Sequence, residues 1–164
     1  MLSNGKRRFS SEAAFLLTTF VYMEPIHRSL IAIGAFSMGI AVILGALGAH
    51  ALESVLSPDQ LDSFKTGVRY QAWHSIALLF LGAGGKNFLL PKTLRILLIL
   101  FTLGIIFFSF SIYLLSLREI LGLSGIGSFL GPITPIGGTL LIAAWLYLGI
   151  KTLATKWSIS TAKR

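Results

Sequence analysis

Residues 96–117 read ILLILFTLGIIFFSFSIYLLSL, 22 consecutive positions without a charged side chain, closed at the two ends by Arg95 and Arg118. A hydrocarbon core about 30 Å thick needs roughly 20 apolar residues of helix to cross it. The stretch therefore predicts a membrane-spanning helix from Ile96 to Leu117, with Ser109, Ser111, Tyr113 and Ser116 as polar punctuation. The chain as a whole agrees, with 54% hydrophobic and 12% charged residues and 17 glycines in 164 positions. A soluble domain carries about 25% charged residues.

Three further spans emerge on either side. The first runs from Ser29 to about Leu52, uncharged between Arg28 and Glu53. The second covers roughly Val68 to Leu89 and is the least apolar, with Arg69 and Lys86 near its ends. Long basic side chains at such ends snorkel toward head groups. The last begins at Thr134-Pro135, read as N-cap and first helical residue, and ends near Ala154. The expected fold is all-α, a four-span transmembrane bundle with residues 28–154 as its membrane domain, between an extension at 1–27 and a basic tail at 155–164.

Lys and Arg accumulate on the cytoplasmic side of membrane proteins. With four spans, the N-terminal region, the second connection and the C-terminus share one side. They hold Lys6, Arg7, Arg8, Arg28, Lys86, Lys92, Arg95, Lys151, Lys156, Lys163 and Arg164, against Lys65, Arg69 and Arg118 opposite. This predicts a multi-pass protein of the inner (plasma) membrane with both termini cytoplasmic. Lys6-Arg7-Arg8 followed by the apolar run Ala13 to Met23 has the outline of a signal peptide, but Val21-Tyr22-Met23-Glu24-Pro25 lacks the small-residue pattern that signal peptidase reads. The run is expected either as an interfacial anchor or as sequence ahead of a start at Met23.

Within the first span the residues sort by size. Ala35, Gly39, Ala41, Gly45 and Ala49 share one side, the last three at four-residue spacing, while Ile33, Phe36, Ile40, Ile43 and Leu47 form the other. Small residues let a neighbouring backbone approach, so Ala41, Gly45 and Ala49 are candidate packing positions. In the next connection Ser57 and Gln60 make a capping-box signature with Pro58 at the first helical position. Leu61, Phe64 and Val68 then recur at helical spacing against Asp59, Asp62 and Lys65. This predicts a short amphipathic surface helix leading into the second span, bending at Gly67.

The polar groups near these two spans are the candidate site: His50, Glu53, Arg69, Tyr70, Gln71 and His74. Polar side chains in a bilayer are costly unless paired. One reading is hydrogen bonding across the helix pair; another is a proton-linked site, since histidine titrates near neutral pH. A metal needs three or four ligands, and His50, Glu53 and His74 are the obvious ones, so no metal and no other cofactor is expected. In Gly131-Pro132-Ile133-Thr134-Pro135-Ile136-Gly137-Gly138, two prolines among the glycines predict a break in helix. Gly137 and Gly138 allow close packing just after it. With no acidic residue nearby to bind a cation, tight packing is favoured over an ion site.

Enzyme signatures are missing: no G-x-S-x-G, H-E-x-x-H or Walker-type phosphate loop occurs, and the chain has no cysteine. Nor do aromatic and basic residues interleave as nucleic-acid binding requires. The expected partners are the lipid bilayer and either a second copy of the chain or a larger membrane complex.

The segments Leu44-Gly45-Ala46-Leu47-Gly48-Ala49-His50-Ala51-Leu52, Thr66-Gly67-Val68-Arg69-Tyr70-Gln71-Ala72-Trp73-His74-Ser75, Phe108-Ser109-Phe110-Ser111-Ile112-Tyr113 and Thr134-Pro135-Ile136-Gly137-Gly138 with Trp145 occur together in a known pattern. In them the chain resembles the YgdD-like family, domain of unknown function 423, a group of small inner-membrane proteins related to transmembrane protein 256. The resemblance covers roughly Arg28 to Leu153 and implies a four-helix integral membrane protein without an established reaction. Phe110 and Ala144 stand where members often carry glycine, so close helix contacts at those two positions are not implied. Together the residues predict a structural or accessory membrane component. The alternative is a small transporter or channel working through His50 and His74 as an oligomer.

Overall fold

The computed structural model describes residues 24–154 and is helical throughout, with no strand among the described residues. Four long helices follow one another: α1 Pro25–Ala49, α2 Pro58–Gly84, α3 Pro91–Leu117 and α4 Gly127–Ala154. The expectations for the N-terminal run, the Met23 start and the basic tail lie outside the described residues.

Local chemistry sets most of the helix starts. Proline, which has no N–H to lose in a first turn, opens α1, α2 and α3. Ser57 and Gln60 form the expected capping box: the Ser57 hydroxyl accepts from the Gln60 N–H at 3.3 Å, and the Gln60 side chain accepts from the Ser57 N–H at 3.0 Å. After α3 the chain turns at Gly122, whose φ of +66° disfavours any side chain. Leu123 N–H donating to Arg118 O at 2.7 Å closes that end.

Two local expectations are corrected. The expected surface helix and second span form one continuous helix, and Gly67, expected as a bend, is a close-packing position within it. A Cβ there would lie 2.7 Å from the Tyr113 ring. Likewise α4 begins at Gly127, not at Thr134-Pro135, and carries Pro132 and Pro135 inside it. A proline deletes one donor, whereas unwinding the segment in an apolar environment would strand several backbone groups. One turn later the Thr139 hydroxyl donates to Pro135 O at 2.9 Å.

The helices pack antiparallel in sequence order. Gly34 meets Ser75 and Leu78, Gly45 meets Val68, and Gly48 meets Phe64, which fixes the α1–α2 register. The small-residue seam of α1 is thus Gly34, Ala41, Gly45 and Gly48, whereas Ala35, Gly39 and Ala49 are exposed. A column at four-residue spacing drifts around a helix by about 40° per step. Near-parallel neighbours keep contact at close to 3.5-residue spacing, so Ala49 has left the seam while Gly48 occupies it. Between α3 and α4, Gly104 packs on Leu141 and Gly137 on the backbone at Phe107 and Phe108, whereas a Cβ on Gly138 would find ordinary room, 3.6 Å from the Phe108 ring. Of the two departures from the family pattern, Ala144 is fully buried in the core and Phe110 is exposed.

Two apolar cores result. One joins all four helices through Leu30, Leu78, Leu94, Leu97, Phe101 and Leu141; the other gathers Leu56, Leu61, Phe64 and Tyr113 at the opposite end. Large side chains such as Phe36, Ile43, Phe80, Ile99, Ile142 and Leu146 point outward. Helices α1, α3 and α4 are long and apolar enough to cross a membrane. Helix α2 is of similar length but carries Asp59, Asp62, Lys65 and Arg69 in its first half.

Candidate functional site

Between the two cores lies a layer of buried polar side chains, each placed by a small or polar residue within an otherwise apolar helix. Gln71 of α2 is its centre. Its Nε2 donates to Ser37 O of α1 at 2.9 Å, and its Oε1 accepts from the Tyr113 hydroxyl of α3 at 2.8 Å. Ser75, one turn on, sits 2.7 Å from the Ser37 hydroxyl and donates to Gln71 O. One amide therefore ties three helices together. In a low-dielectric interior a polar group is costly unless satisfied in this way, and α3 bears that cost at Thr102, Ser109 and Ser116, whose buried hydroxyls have no partner among the described residues.

The α3 contribution depends on a π-turn at Ile106–Phe110. Phe101 and Tyr113 are twelve residues apart, which in unbroken α-helix would set them about 120° apart around the axis; one extra residue in the turn removes about 100° of that. Both rings consequently face α2, Phe101 against His74 and Tyr113 against Phe64. The turn leaves carbonyls poorly matched, and Ser111 takes them up. Its hydroxyl donates to Phe107 O and lies 2.9 Å from Phe108 O and 2.8 Å from the Thr134 hydroxyl of α4.

His74 stands beside this layer. Its Nδ1 is 2.6 Å from Tyr70 O, and since a carbonyl can only accept, Nδ1 carries the proton. The rings of Tyr70, Phe101 and Trp145 surround the imidazole at centroid distances of 5.9, 5.7 and 6.1 Å. The remaining members of the expected cluster are elsewhere. His50 caps the end of α1 and is exposed, as is Glu53 in the following turn. The α1–α2 register sets His74 level with Met38, twelve residues or about 18 Å from His50 along the axis. Arg69 is on the surface, donating to Thr66 Oγ1 at 2.8 Å and 3.9 Å from Asp62. Tyr70, Gln71 and His74 are thus close together, while His50, Glu53 and Arg69 lie apart from them. Among the described residues no group of three or more Asp, Glu or His side chains is placed to hold a metal ion.

His27 is buried: its Nδ1 lies 3.2 Å from Gly82 O and joins the start of α1 to the end of α2. Ser37, Ser75, Thr102 and Thr134 also belong to the interior polar set, although attention to charged and titratable residues passes over them. Their signal in the sequence is a single hydroxyl inside an apolar run.

A groove of about 830 Å³ opens sideways between α1 and α3, with α2 as its floor. Ile33, Phe36, Ile40, Leu44 and Leu47 form one wall, and Ile105, Ile106, Phe110, Leu114 and Leu117 the other; Ser37, Gln71, Thr102 and Tyr113 are its polar atoms' source. No charged residue lines it.

Residues 44–138 match the family described as "Protein of unknown function (DUF423)". The chain is similar to the UPF0382 membrane protein of Staphylococcus haemolyticus, with 39% identity over 126 residues covering 76% of this chain and 95% of the relative. It is similar to the UPF0382 membrane protein YwdK of Bacillus subtilis, 36% identical over 126 residues with 74% and 93% covered. To the UPF0382 inner membrane protein YgdD of Escherichia coli it is 29% identical over 133 residues, with 79% and 92% covered. No solved structure matches the chain.

Proposed function

Since this chain belongs to the DUF423 family of UPF0382 membrane proteins, we propose that it is a four-span structural or accessory component of the inner membrane, with both termini in the cytoplasm. One observation carries the reading: the central amide and its neighbours hydrogen-bond from helix to helix, while the buried hydroxyls of Thr102, Ser109 and Ser116 on α3 have no partner among the described residues and are sealed from any opening. Gln71, Tyr113, Ser37 and Ser75 close a hydrogen-bonded set across three helices, and Ser111 and Thr134 close another across two. Such sets lock helices together. A conduit would instead leave donors and acceptors facing an opening.

Helix α2 counts as a span because it runs antiparallel between α1 and α3 and buries residues in every turn from Leu61 to Gly82. Beyond Arg69, its lipid-facing side chains are Trp73, Ile76 and Phe80. The distribution of Lys and Arg supports the orientation.

Because the chain contains no cysteine, single substitutions report topology directly. Ser54→Cys and Leu123→Cys should react with an impermeant maleimide in intact cells, and Asn87→Cys only after permeabilisation; labelling of all three, or of none, removes the four-span reading. Purified protein in liposomes should carry no proton or cation flux above empty vesicles. Flux that disappears in His74→Leu would replace the accessory role by a transporter.

A further inference from the structure

We propose that the groove between α1 and α3 is a lipid site, holding one acyl chain of a bilayer phospholipid as a fixed part of the fold. The inference rests on the membrane-spanning reading above and names what that reading leaves beside the bundle.

The occupant follows by elimination. Ile33 to Leu47 on one wall and Thr102 to Leu117 on the other each extend about 21–22 Å along their helices. The groove therefore reaches across most of a hydrocarbon core about 30 Å thick. It cannot stay empty, since the wall atoms would forgo their dispersion contacts. Nor does it suit water, which needs two to four polar partners. Gln71, Tyr113 and Ser37 are already bonded to each other, and the Thr102 hydroxyl oxygen is sealed beneath the surface.

A helix, from a second copy or another protein, is the remaining competitor. Close helix approach in membranes uses small residues at the contact. Of the small residues of α1, Gly34, Ala41, Gly45 and Gly48 pack against α2, and the exposed Ala35, Gly39 and Ala49 lie outside the groove lining. The groove offers Phe36, Ile40, Ile106 and Phe110 instead. Large, uncharged, flexible side chains along a narrow trough suit a thin chain that conforms to them better than a helix about 10–12 Å wide.

The test is native mass spectrometry of the full chain, purified in mild detergent and supplied with dioleoylphosphatidylglycerol. A single phospholipid adduct per chain should survive conditions that strip the detergent. Ile40→Trp and Ile106→Trp, both exposed on the groove walls, should fill the trough without disturbing the core and lower the adduct several-fold. Ile142→Trp and Leu146→Trp, exposed on α4 away from the groove, should retain it. No adduct, an adduct indifferent to the filling variants, or a dimer mass in its place would each overturn the proposal. The cysteine labelling reads span number separately, so a failure of topology is distinguishable from a failure of lipid binding.

Discussion

Replacing Gly137 by alanine should be among the most damaging single-methyl changes in this chain, and the same change at Gly138 should be nearly harmless. A Cβ at position 137 would lie 2.6 Å from the Phe107 carbonyl carbon and 2.8 Å from Phe108 Cα, whereas at 138 its nearest neighbour is the Phe108 ring at 3.6 Å. Ordinary contact begins near 3.4 Å, and the Phe108 amide nitrogen is nearer still than these two atoms, so α3 and α4 would have to part by about 1 Å. A gap of that size forfeits roughly a quarter to a half of the dispersion well at each contact it opens. The contacts at risk are Gly104 on Leu141 and the Ser111–Thr134 hydrogen bond. Overpacking typically costs about 1–3 kcal/mol. Both sides here are backbone that no rotamer change can relieve, so the upper end, about 3 kcal/mol, is expected. For Gly138→Ala the methyl fits, and helix propensity contributes a gain of up to about 1 kcal/mol. Equilibrium unfolding of each variant in mixed micelles, followed by circular dichroism, measures the difference. Equal stability of the two variants, or a neutral Gly137→Ala, would refute the backbone contact.

Tyr113→Phe removes the hydroxyl that Gln71 Oε1 accepts and should cost about 0.5–1.5 kcal/mol in the same assay; no loss would mean that the bond is not made. Gly67→Ala would drive a methyl into the Tyr113 ring, whose neighbours are side chains, so the cost should be about 1–3 kcal/mol. Combining it with Tyr113→Leu should recover part of the loss, and strict additivity of the two changes would count against the contact. Ser57→Ala deletes half of the capping box and should lower stability by about 1 kcal/mol, with amide exchange rising first at the start of α2; unchanged exchange there would show that the cap is dispensable.

The helix starts illustrate what is legible locally. Ser57, Pro58 and Gln60 lie within four positions of one another, and their interaction requires nothing beyond the turn they begin. Pro132 and Pro135 illustrate the opposite. Taken alone they end a helix, yet α4 runs through them because unwinding would expose backbone groups where no water can meet them. The candidate site divides along the same line. Polar side chains inside apolar spans marked Gln71 and His74, but the register that aligns His74 with Met38 and leaves His50 some twelve residues away is a property of the α1–α2 seam. That seam keeps Ala41 and Gly45 of the expected small face but takes Gly34 in place of Ala35 and Gly48 in place of Ala49, and leaves Gly39 exposed, because the direction of a helix neighbour sets which column of small residues it meets.

From its sequence alone this protein was determined to be helical and membrane-embedded, because composition over some 20 residues decides whether a segment can dissolve in hydrocarbon. Its family too was legible there, in short motifs. Only the tertiary structure decided that Tyr113 meets Gln71, that a π-turn carries it there, that Gly137 touches backbone while Gly138 does not, and that α1 and α3 leave a groove between them. Each of these depends on the rotation and level of one helix against another. Those quantities are set by the packing of residues far apart in the chain, where a single extra residue in one turn redirects every side chain that follows.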